Sequence, residues 1–356
     1  MPDDTERNGH TPDSEPLSLP TSVDVAHRAG VSQSAVSLVF GGKAAGRVGK
    51  RTQEAILQAA HELGYRPNSA ARTLRSGRSR LIALAIPDIS NPYFASVLQG
   101  AAQAARTYGY SVVLAQIRDE QDWQHMILDA LTSRTVDGFL LCEVPLPPES
   151  EQTVLQGKAV AVNVNSPLLS SLQLDVTAGM QAAMTHLLRL GHTKIAHLAA
   201  AVDAETFRLR HHAYREALRQ AGIPFTRDYQ AQAPFIISDA YLAARQVLAC
   251  SDPPTAFICD SDVLAVGVYK AAKDLQYTIP RDISVASFDD SVIARILDPE
   301  LTTVAIPARA IGEQAFLHLL RVLEEDHVPA QITVPLELVI RASTTESCAR
   351  PHKMEK

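Results

Sequence analysis

Apolar positions along the chain fall into two regimes. Between Thr21 and Gly64 they recur every three or four residues in short runs, whereas beyond Leu81 unbroken apolar runs alternate with longer helix-spaced segments. In the first regime Thr21 or Ser22 can cap a helix on which Val23, Ala26 and Ala29 share a face until Gly30 ends it. Ser32 suits the cap of a second helix, with Ala35, Val36 and Val39 as its apolar face and Gly41-Gly42 as its stop. A third helix is predicted over 52–63, with Ile56, Leu57, Ala60 and Leu63 turned inward and Gly64 beyond its end. Two short helices joined by the tight turn Ala29-Gly30-Val31 make a helix-turn-helix whose second helix is free to enter a major groove. On this pattern alone, an ordinary helical hairpin with no DNA role fits equally well.

In the second regime the spacing predicts strands over 81–86, 111–116, 138–141, 159–164, 194–199, 256–259 and 283–287. Helices are predicted between them over 94–108, 122–132, 177–190, 207–221, 239–249 and 261–275. Unbroken apolar strands separated by helices imply parallel sheets covered on both faces. About 265 residues of this alternation fit two doubly wound subdomains better than one. Ligands in such folds bind past the C-terminal ends of strands. That rule singles out Asp88, Asn91, Tyr93 and Phe94 after the first strand, and Asn163 at the end of the fourth. Tyr93 or Phe94 could stack on a sugar or base ring; a loop cap at Asp88 and core filling by Phe94 are the plainer alternatives.

Composition narrows the class. The chain's 356 residues suffice for two or three domains, and a hydrophobic content of 46% is ample for buried cores. No run reaches the roughly 18 apolar residues of a membrane span. The polar opening stretch is not a secretory signal, and residues 1–19 are expected to be a disordered tail. Cys142, Cys250, Cys259 and Cys348 show no CxxC spacing, which argues against zinc and a disulfide framework and for a reducing cytoplasm.

Charge is where the first impression changes. A formal net charge of −6 argues against a nucleic-acid partner, yet residues 20–80 carry Lys43, Lys50 and eight arginines against Asp24, Glu54 and Glu62, a local net of +7. The tail before them is net −4 and everything after is net −9. A compact basic segment on an acidic body has the form of an electrostatic nucleic-acid footprint. A solvated basic linker is the alternative.

The runs SVDVAHRAGVSQSAVSLVFGG and ELGYRPNSAARTLRSGRS resemble the N-terminus of the lactose-repressor (LacI/GalR) family of transcription regulators. The resemblance continues through IPDISNPYFASVLQGAAQAARTYGY, RTVDGFLL, HLLRLGHTKIAHL, CDSDVLAVGVYKA, DISVASFDDS and LTTVAIP, to about Thr345. It implies an α/β architecture: a three-helix head and hinge helix joined to two doubly wound parallel-sheet subdomains of periplasmic-binding-protein type. The head would span 20–66, hinge and linker 67–80, and an effector-binding and dimerisation domain 81–345, with a tail over 346–356. One subdomain would comprise about 81–174 and 306–335, the other about 175–290 and 336–345, the chain crossing near Asp175, Asp290 and Ile306.

The resemblance also assigns residues. Gln33, Ser34, Ser37 and Leu38 would face base edges. Gln pairs well with adenine, Ser is a promiscuous partner and Leu offers only apolar contact. Many members carry Arg where Leu38 stands, so a guanine reader is missing here. Ser32 would cap the helix and touch phosphate, and the basic loop 43–51 would clamp phosphates without reading sequence. The hinge residues Asn68, Arg72 and Leu74 belong to a stretch too short to be helical alone, which the resemblance makes a helix that folds on DNA. Leu74 would wedge into the minor groove; a flexible linker is the alternative. In the cleft, Arg210 in FRLRHHAY matches the effector-gripping arginine, and Asp262 and Asp289 match further polar contacts. Surface pairing of Arg210 and capping by Asp262 are the plain alternatives. Ser261, Ala213, Ser287 and Ile306 replace a usual Asn, Gly, Gly and Gln, making the pocket less polar.

Twelve histidines invite an enzymatic reading, but His211-His212 has no metal partner at helical spacing, and HExxH, GxSxG, P-loop and GxGxxG motifs are absent. Asp289-Asp290 has no companion base or nucleophile motif. A transporter's solute-binding protein would share the two-lobed body but calls for an export signal and no basic head. The expectation is therefore a cytoplasmic, non-enzymatic repressor without cofactor or metal. It would bind double-stranded, near-palindromic operator DNA as a homodimer or dimer of dimers, under control of a small sugar-like effector.

Overall fold

The computed structural model describes residues 20–66, 77–117, 124–146, 152–324 and 329–347. The tails and the hinge positions Asn68, Arg72 and Leu74 lie outside the described residues. Residues up to Ser79 and those from Arg80 form two compact units.

The first unit is three helices, α1 (Ser22–Ala29), α2 (Gln33–Phe40) and α3 (Lys50–Leu63). Thr21 caps α1, and the Asp24 carboxylate accepts from the Thr21 backbone N–H at 2.7 Å, so two N-terminal donors are satisfied reciprocally. Gly30 and Gly64 end α1 and α3 with φ of 65° and 66°, where a side chain would be strained. The core is Val25, Ala26, Val36, Ile56, Ala59 and Ala60. Two expected core residues fall outside it: Val23 is 55% exposed and Leu57 52% exposed. The expected positions Ala26, Ile56 and Ala60 stay inside, and Val25 and Ala59 complete the buried face instead. Arg28 pairs with Glu62 at 2.7 Å between α1 and α3, an exposed pair that contributes little.

The second unit holds two six-stranded sheets. In the first, β1 (Leu81–Ile86), β2 (Ser111–Gln116), β3 (Gly138–Cys142), β4 (Ala159–Val162), β5 (Ser170–Leu174) and β11 (Gln331–Val334) are ordered β11-β5-β4-β3-β1-β2, all parallel. The second contains β6 (Ile195–Ala200), β7 (Gln230–Ala233), β8 (Ala256–Cys259), β9 (Ser284–Asp289), β10 (Thr302–Ala305) and β12 (Glu337–Val339). Their order is β12-β10-β9-β8-β6-β7, parallel except that β12 runs antiparallel to β10. Each sheet reverses direction of strand order beside its first strand, so each has a switch point: β1/β3 in one lobe and β6/β8 in the other.

Helix α4 (Pro92–Thr107), α5 (Asp129–Thr132, entered through a π-helical turn over Gln124–Leu128) and α11 (Ala308–Glu324) belong to the first lobe. The second lobe carries α6 (Val176–Arg189), α7 (Glu205–Gln220), α8 (Ile237–Leu248), α9 (Asp262–Asp274) and α10 (Val292–Ile296). The chain passes between lobes at Asp175, at 306–307 and at 335–336. The expected passage at Asp290 does not occur: residues 291–305 stay in the second lobe because β10 pairs with β9. Asp175 marks its crossing by capping α6, accepting from Ala178 N at 2.9 Å.

Two glycines set the contact of α4 with α11. A Cβ at Gly100 would sit 1.9 Å from the Arg309 carbonyl oxygen, and one at Gly312 would sit 2.0 Å from that of Val97. The helices therefore touch backbone to backbone. Gly100→Ala should force them apart and destabilise the body by roughly 3 kcal/mol, at the upper end of overpacking costs, read as a lower urea midpoint. An unchanged midpoint would show that the helices part freely.

Candidate functional site

The exposed face of α2 begins at its cap. Ser32 Oγ accepts from Ala35 N at 3.3 Å and from Ser34 Oγ at 3.1 Å. Gln33 and Ser34 are exposed, while Ser37 and Leu38 are partly covered. Gln33 Nε2 donates to Ser22 Oγ at 3.0 Å, holding the amide against the start of α1. The helix QSAVSLVF carries no charge at all. The nearby cations Lys43, Arg47, Lys50 and Arg51 are all exposed, and α3 starts at Gly49 without a side-chain cap, leaving its first N–H groups open. The head thus separates a neutral exposed helix from a basic loop that leads into a helix start without a side-chain cap.

In the body, the residues after β1, β3, β6 and β8 converge on a cleft between the lobes, as the two switch points require. Its outer cavity holds about 440 Å³, within the range of small-molecule sites. Asp88, Phe94, Asn163, Glu205, Phe207 and Phe235 are among its walls. Beyond them lies an inner chamber of about 10 Å³, space for roughly one water. Tyr93, Glu143, Arg210, Ser261, Asp289 and Ile306 line it, drawn from both lobes and a crossover. Asn165 Nδ2 of one lobe donates to Glu205 Oε1 of the other at 3.1 Å.

Arg210 is 4% exposed. Its Nη1 donates to the Asp260 carbonyl at 2.6 Å, and its guanidinium carbon lies 5.1 Å from the Phe207 ring centroid and 4.2 Å from that of Phe288. Arg210 Nε and the Tyr93 hydroxyl are buried without a hydrogen-bond partner among the described residues. Such groups are costly unless something completes them. Glu143 accepts from Asn163 Nδ2 at 2.7 Å, and Asn163 Oδ1 accepts from Leu174 N at 2.9 Å, so this asparagine orients Glu143 with its whole amide engaged. Burial pushes the Glu143 carboxyl and the Tyr93 hydroxyl up from their ordinary values. Glu143, Asn163 and Asp289 adopt φ of 54°, 55° and 115°. Three non-glycine residues held in that region along one cleft are the kind of backbone strain that collects at functional sites.

The expected site residues divide. Arg210, Asp289, Tyr93 and Asn91 meet at the inner chamber; Asp88, Phe94 and Asn163 face the outer cavity. Asn91 is also the α4 cap, accepting from Tyr93 N at 3.0 Å. Asp88 accepts from Ser90 N and Oγ at 2.9 and 2.6 Å, as a loop-capping residue does. Phe94 is buried in the core, edge-on to Tyr93 at 5.1 Å, rather than presenting a free ring. Asp262 lines neither cavity. It is fully buried and accepts from Ser287 Oγ, Thr303 Oγ1, Ser291 N and Ser291 Oγ at 2.5 to 2.9 Å, tying β9, β10 and the start of α10 together. Two of the unusual residues serve these aspartates: Ser287 holds Asp262, and Ser261 Oγ donates to Asp289 at 2.7 Å.

Glu143, Phe207, Phe235 and Asp260 escaped the sequence reading. Glu143 directly follows β3 and Asp260 directly follows β8, so the strand-end rule would have found both. The two phenylalanines, 5.9 Å apart, lie on α7 and before α8, where nothing in the sequence separates them from core residues.

Residues 22–68 match the family of bacterial regulatory proteins of lacI type, and residues 184–344 match the periplasmic binding protein-like domain. The chain is 31% identical over 329 residues to the HTH-type transcriptional repressor CytR of Escherichia coli (strain K12), covering 91% of this chain and 96% of that one. It is 34% identical over 330 residues to the ribose operon repressor of Halalkalibacterium halodurans, covering 92% and 97%. A crystal structure of the Lac repressor dimer bound to operator and the anti-inducer ONPF superposes with a TM-score of 0.81 at 25% identity, covering 92% and 100%. A helix-turn-helix head carried on a two-lobed ligand-binding body defines a DNA-binding transcriptional regulator under small-molecule control. The chain belongs to the LacI family of bacterial regulatory proteins.

Enclosure, and then the charge of Asp262, pushes the Asp289 carboxyl up from an ordinary 3.8 to about 8. Between those values the folded chain keeps a proton that the unfolded chain releases, so this group's contribution to stability falls as pH rises through the window and levels off above it. Asp289→Asn should remove that slope. Its thermal midpoint, relative to the unsubstituted chain, should rise steadily from pH 5 to pH 8; a constant offset would place no proton on Asp289.

Proposed function

We propose that this protein is a cytoplasmic, non-enzymatic repressor that binds a near-palindromic operator as a homodimer and is switched by a small polyhydroxylated effector in the cleft between its lobes. The observation that carries the effector site is the pairing of two buried unpartnered groups, Arg210 Nε and the Tyr93 hydroxyl, with the Glu143 and Asp289 carboxyls around one chamber. Donors and acceptors facing each other in a narrow space suit a ligand rich in hydroxyls, which supplies both. Bidentate capacity lets Arg210 orient such a ligand. Asp88 and Asn163 would contribute at the outer cavity, with Asp262 holding β9 and thereby Asp289 in place.

On DNA, Gln33, Ser34, Ser37 and Leu38 would read base edges, while Ser32 and the basic loop take phosphates. Asn68, Arg72 and Leu74 would engage the minor groove at the operator centre. Effector binding alters lobe closure and so the approach of the paired hinges, a coupling typically worth ~1–3 kcal/mol.

Arg210→Ala should leave operator binding intact while abolishing its response to effector, the effector being found first by screening sugars and nucleosides in a gel-shift assay. A retained response would refute the cleft assignment. In the same assay Arg47→Ala should weaken all sequences alike and lower the salt slope by about 1, whereas Gln33→Ala should cost roughly 1–3 kcal/mol on operator and relax its preference at one position. Leu74→Ala should lose specific affinity more than non-specific affinity. Equal losses for Gln33→Ala or Leu74→Ala on operator and random DNA would remove that residue from sequence reading.

A further inference from the structure

Behind the inner chamber lies a line of ionisable groups that the effector reading leaves unused. His197 on β6 and Asp260 at the end of β8 have no exposed side-chain surface, and His197 Nε2 lies 3.1 Å from Asp260 Oδ1. Nδ1 of His197 lies 3.4 Å from Nδ1 of His211 on α7, with the two rings stacked at 5.6 Å between centroids. His211 is only half-buried. The line therefore runs from solvent to the chamber floor, which Asp260 helps to form and where its carbonyl holds Arg210.

The hydrogen positions follow from valence. Burial pushes the Asp260 carboxyl up, but His197, Arg210 and the Ala200 N–H together outweigh it and keep the group an anion. His197 Nε2 must then carry a proton and donate it to Asp260. Only one hydrogen fits between the two facing Nδ1 atoms. In the neutral pair it sits on His211 and is accepted by His197. When His211 Nε2 takes a proton from solvent, the His211 Nδ1 proton can pass to His197 Nδ1. The positive charge then rests on His197 beside Asp260, and His211 is left neutral with its proton on Nε2. No other group gains or loses a proton. Two stacked imidazolium rings would repel, which limits the pair to one added proton.

The surroundings keep that proton conditional. Burial and the neighbouring His197, Arg215 and His212 hold His211 below the ordinary histidine value, with Asp260 opposing them. Tyr214 packs its ring 5.0 Å from His197, but its hydroxyl is committed to the Ile195 carbonyl. Gln230 on β7, opposite His197 in register, is neutral.

We propose that His211, His197 and Asp260 form a proton relay that sets the charge behind Arg210 and makes its grip on the effector depend on pH. The inference rests on the reading of Arg210 as the effector-gripping residue. Proton uptake raises the positive potential at the Arg210 end of the chamber, so an electron-rich oxygen is held more tightly as pH falls from 7 towards 5.

The test needs no effector and so fails independently of the cleft assignment. Full-length protein labelled with ¹³C at histidine Cε1 and ¹⁵N at arginine Nε is titrated from pH 8 to pH 5 by NMR. His197 and His211 should shift together, with the Arg210 Nε signal following the same midpoint. His211→Gln should abolish the Arg210 response, whereas His212→Gln, one residue further along α7, should retain it. An Arg210 signal that is flat across the range, or that still titrates in His211→Gln, overturns the relay. Should His211→Gln unfold the body, the unsubstituted protein decides alone: a His197 signal independent of His211 overturns the proposal.

Discussion

Arg210 holds a permanent charge almost entirely out of water, and much of the body's construction follows from accommodating it. A guanidinium removed from solvent costs several kcal/mol unless its field is balanced. Here the balance is distributed. One carbonyl takes a direct hydrogen bond, Phe207 and Phe288 present ring faces, and the ionised Asp260 lies at the chamber, with the Glu143 and Asp289 carboxyls as polar neighbours. Each of these needs its own support. Asp260 is kept ionised by His197, Glu143 is oriented by Asn163, and Asp289 is steadied by Ser261. The supports come from both lobes, so the position of one lobe against the other is written into the environment of a single side chain. Arg210 Nε, buried and without a partner among the described residues, is where a ligand oxygen would enter that balance.

Much of this was legible in the sequence because it depends on neighbours along the chain. The caps Thr21 and Ser32, the stops Gly30 and Gly64, and the apolar strands β1, β2 and β8 are local features, and each falls where the pattern puts it. Val23 and Leu57 misled because a short amphipathic helix with several apolar residues permits two adjacent faces, and only packing chooses. Strand β5, Ser-Ser-Leu-Gln-Leu, carries no apolar run; its buried Ser170 and Ser171 are satisfied by Ala330 N and the Gln331 side chain, partners 160 residues away. Asp262 looked like a ligand contact for the opposite reason. A carboxylate beside a strand end reads the same whether it faces a cavity or four internal donors.

The head shows a division of labour that charge alone conceals. Its basic residues are grouped in the loop and the start of α3, while α2 carries none. Under the proposed function, salt would weaken contacts of the first group, whereas hydrogen-bond geometry would govern those of the second.

The close approach of α4 and α11 has a consequence for how the chain comes into being. A ribosome delivers β1 and α4 about two hundred residues before it delivers α11, and β11 later still. Throughout that interval the glycine-notched face of α4, with Val97 and Ala101 beside Gly100, has no helix to cover it. The first lobe to be started therefore stays incomplete through most of synthesis, and the second is finished only by β12, a few residues after β11. The nascent chain spends most of its synthesis with an apolar seam open to whatever binds such surfaces, trigger factors and aggregation partners alike.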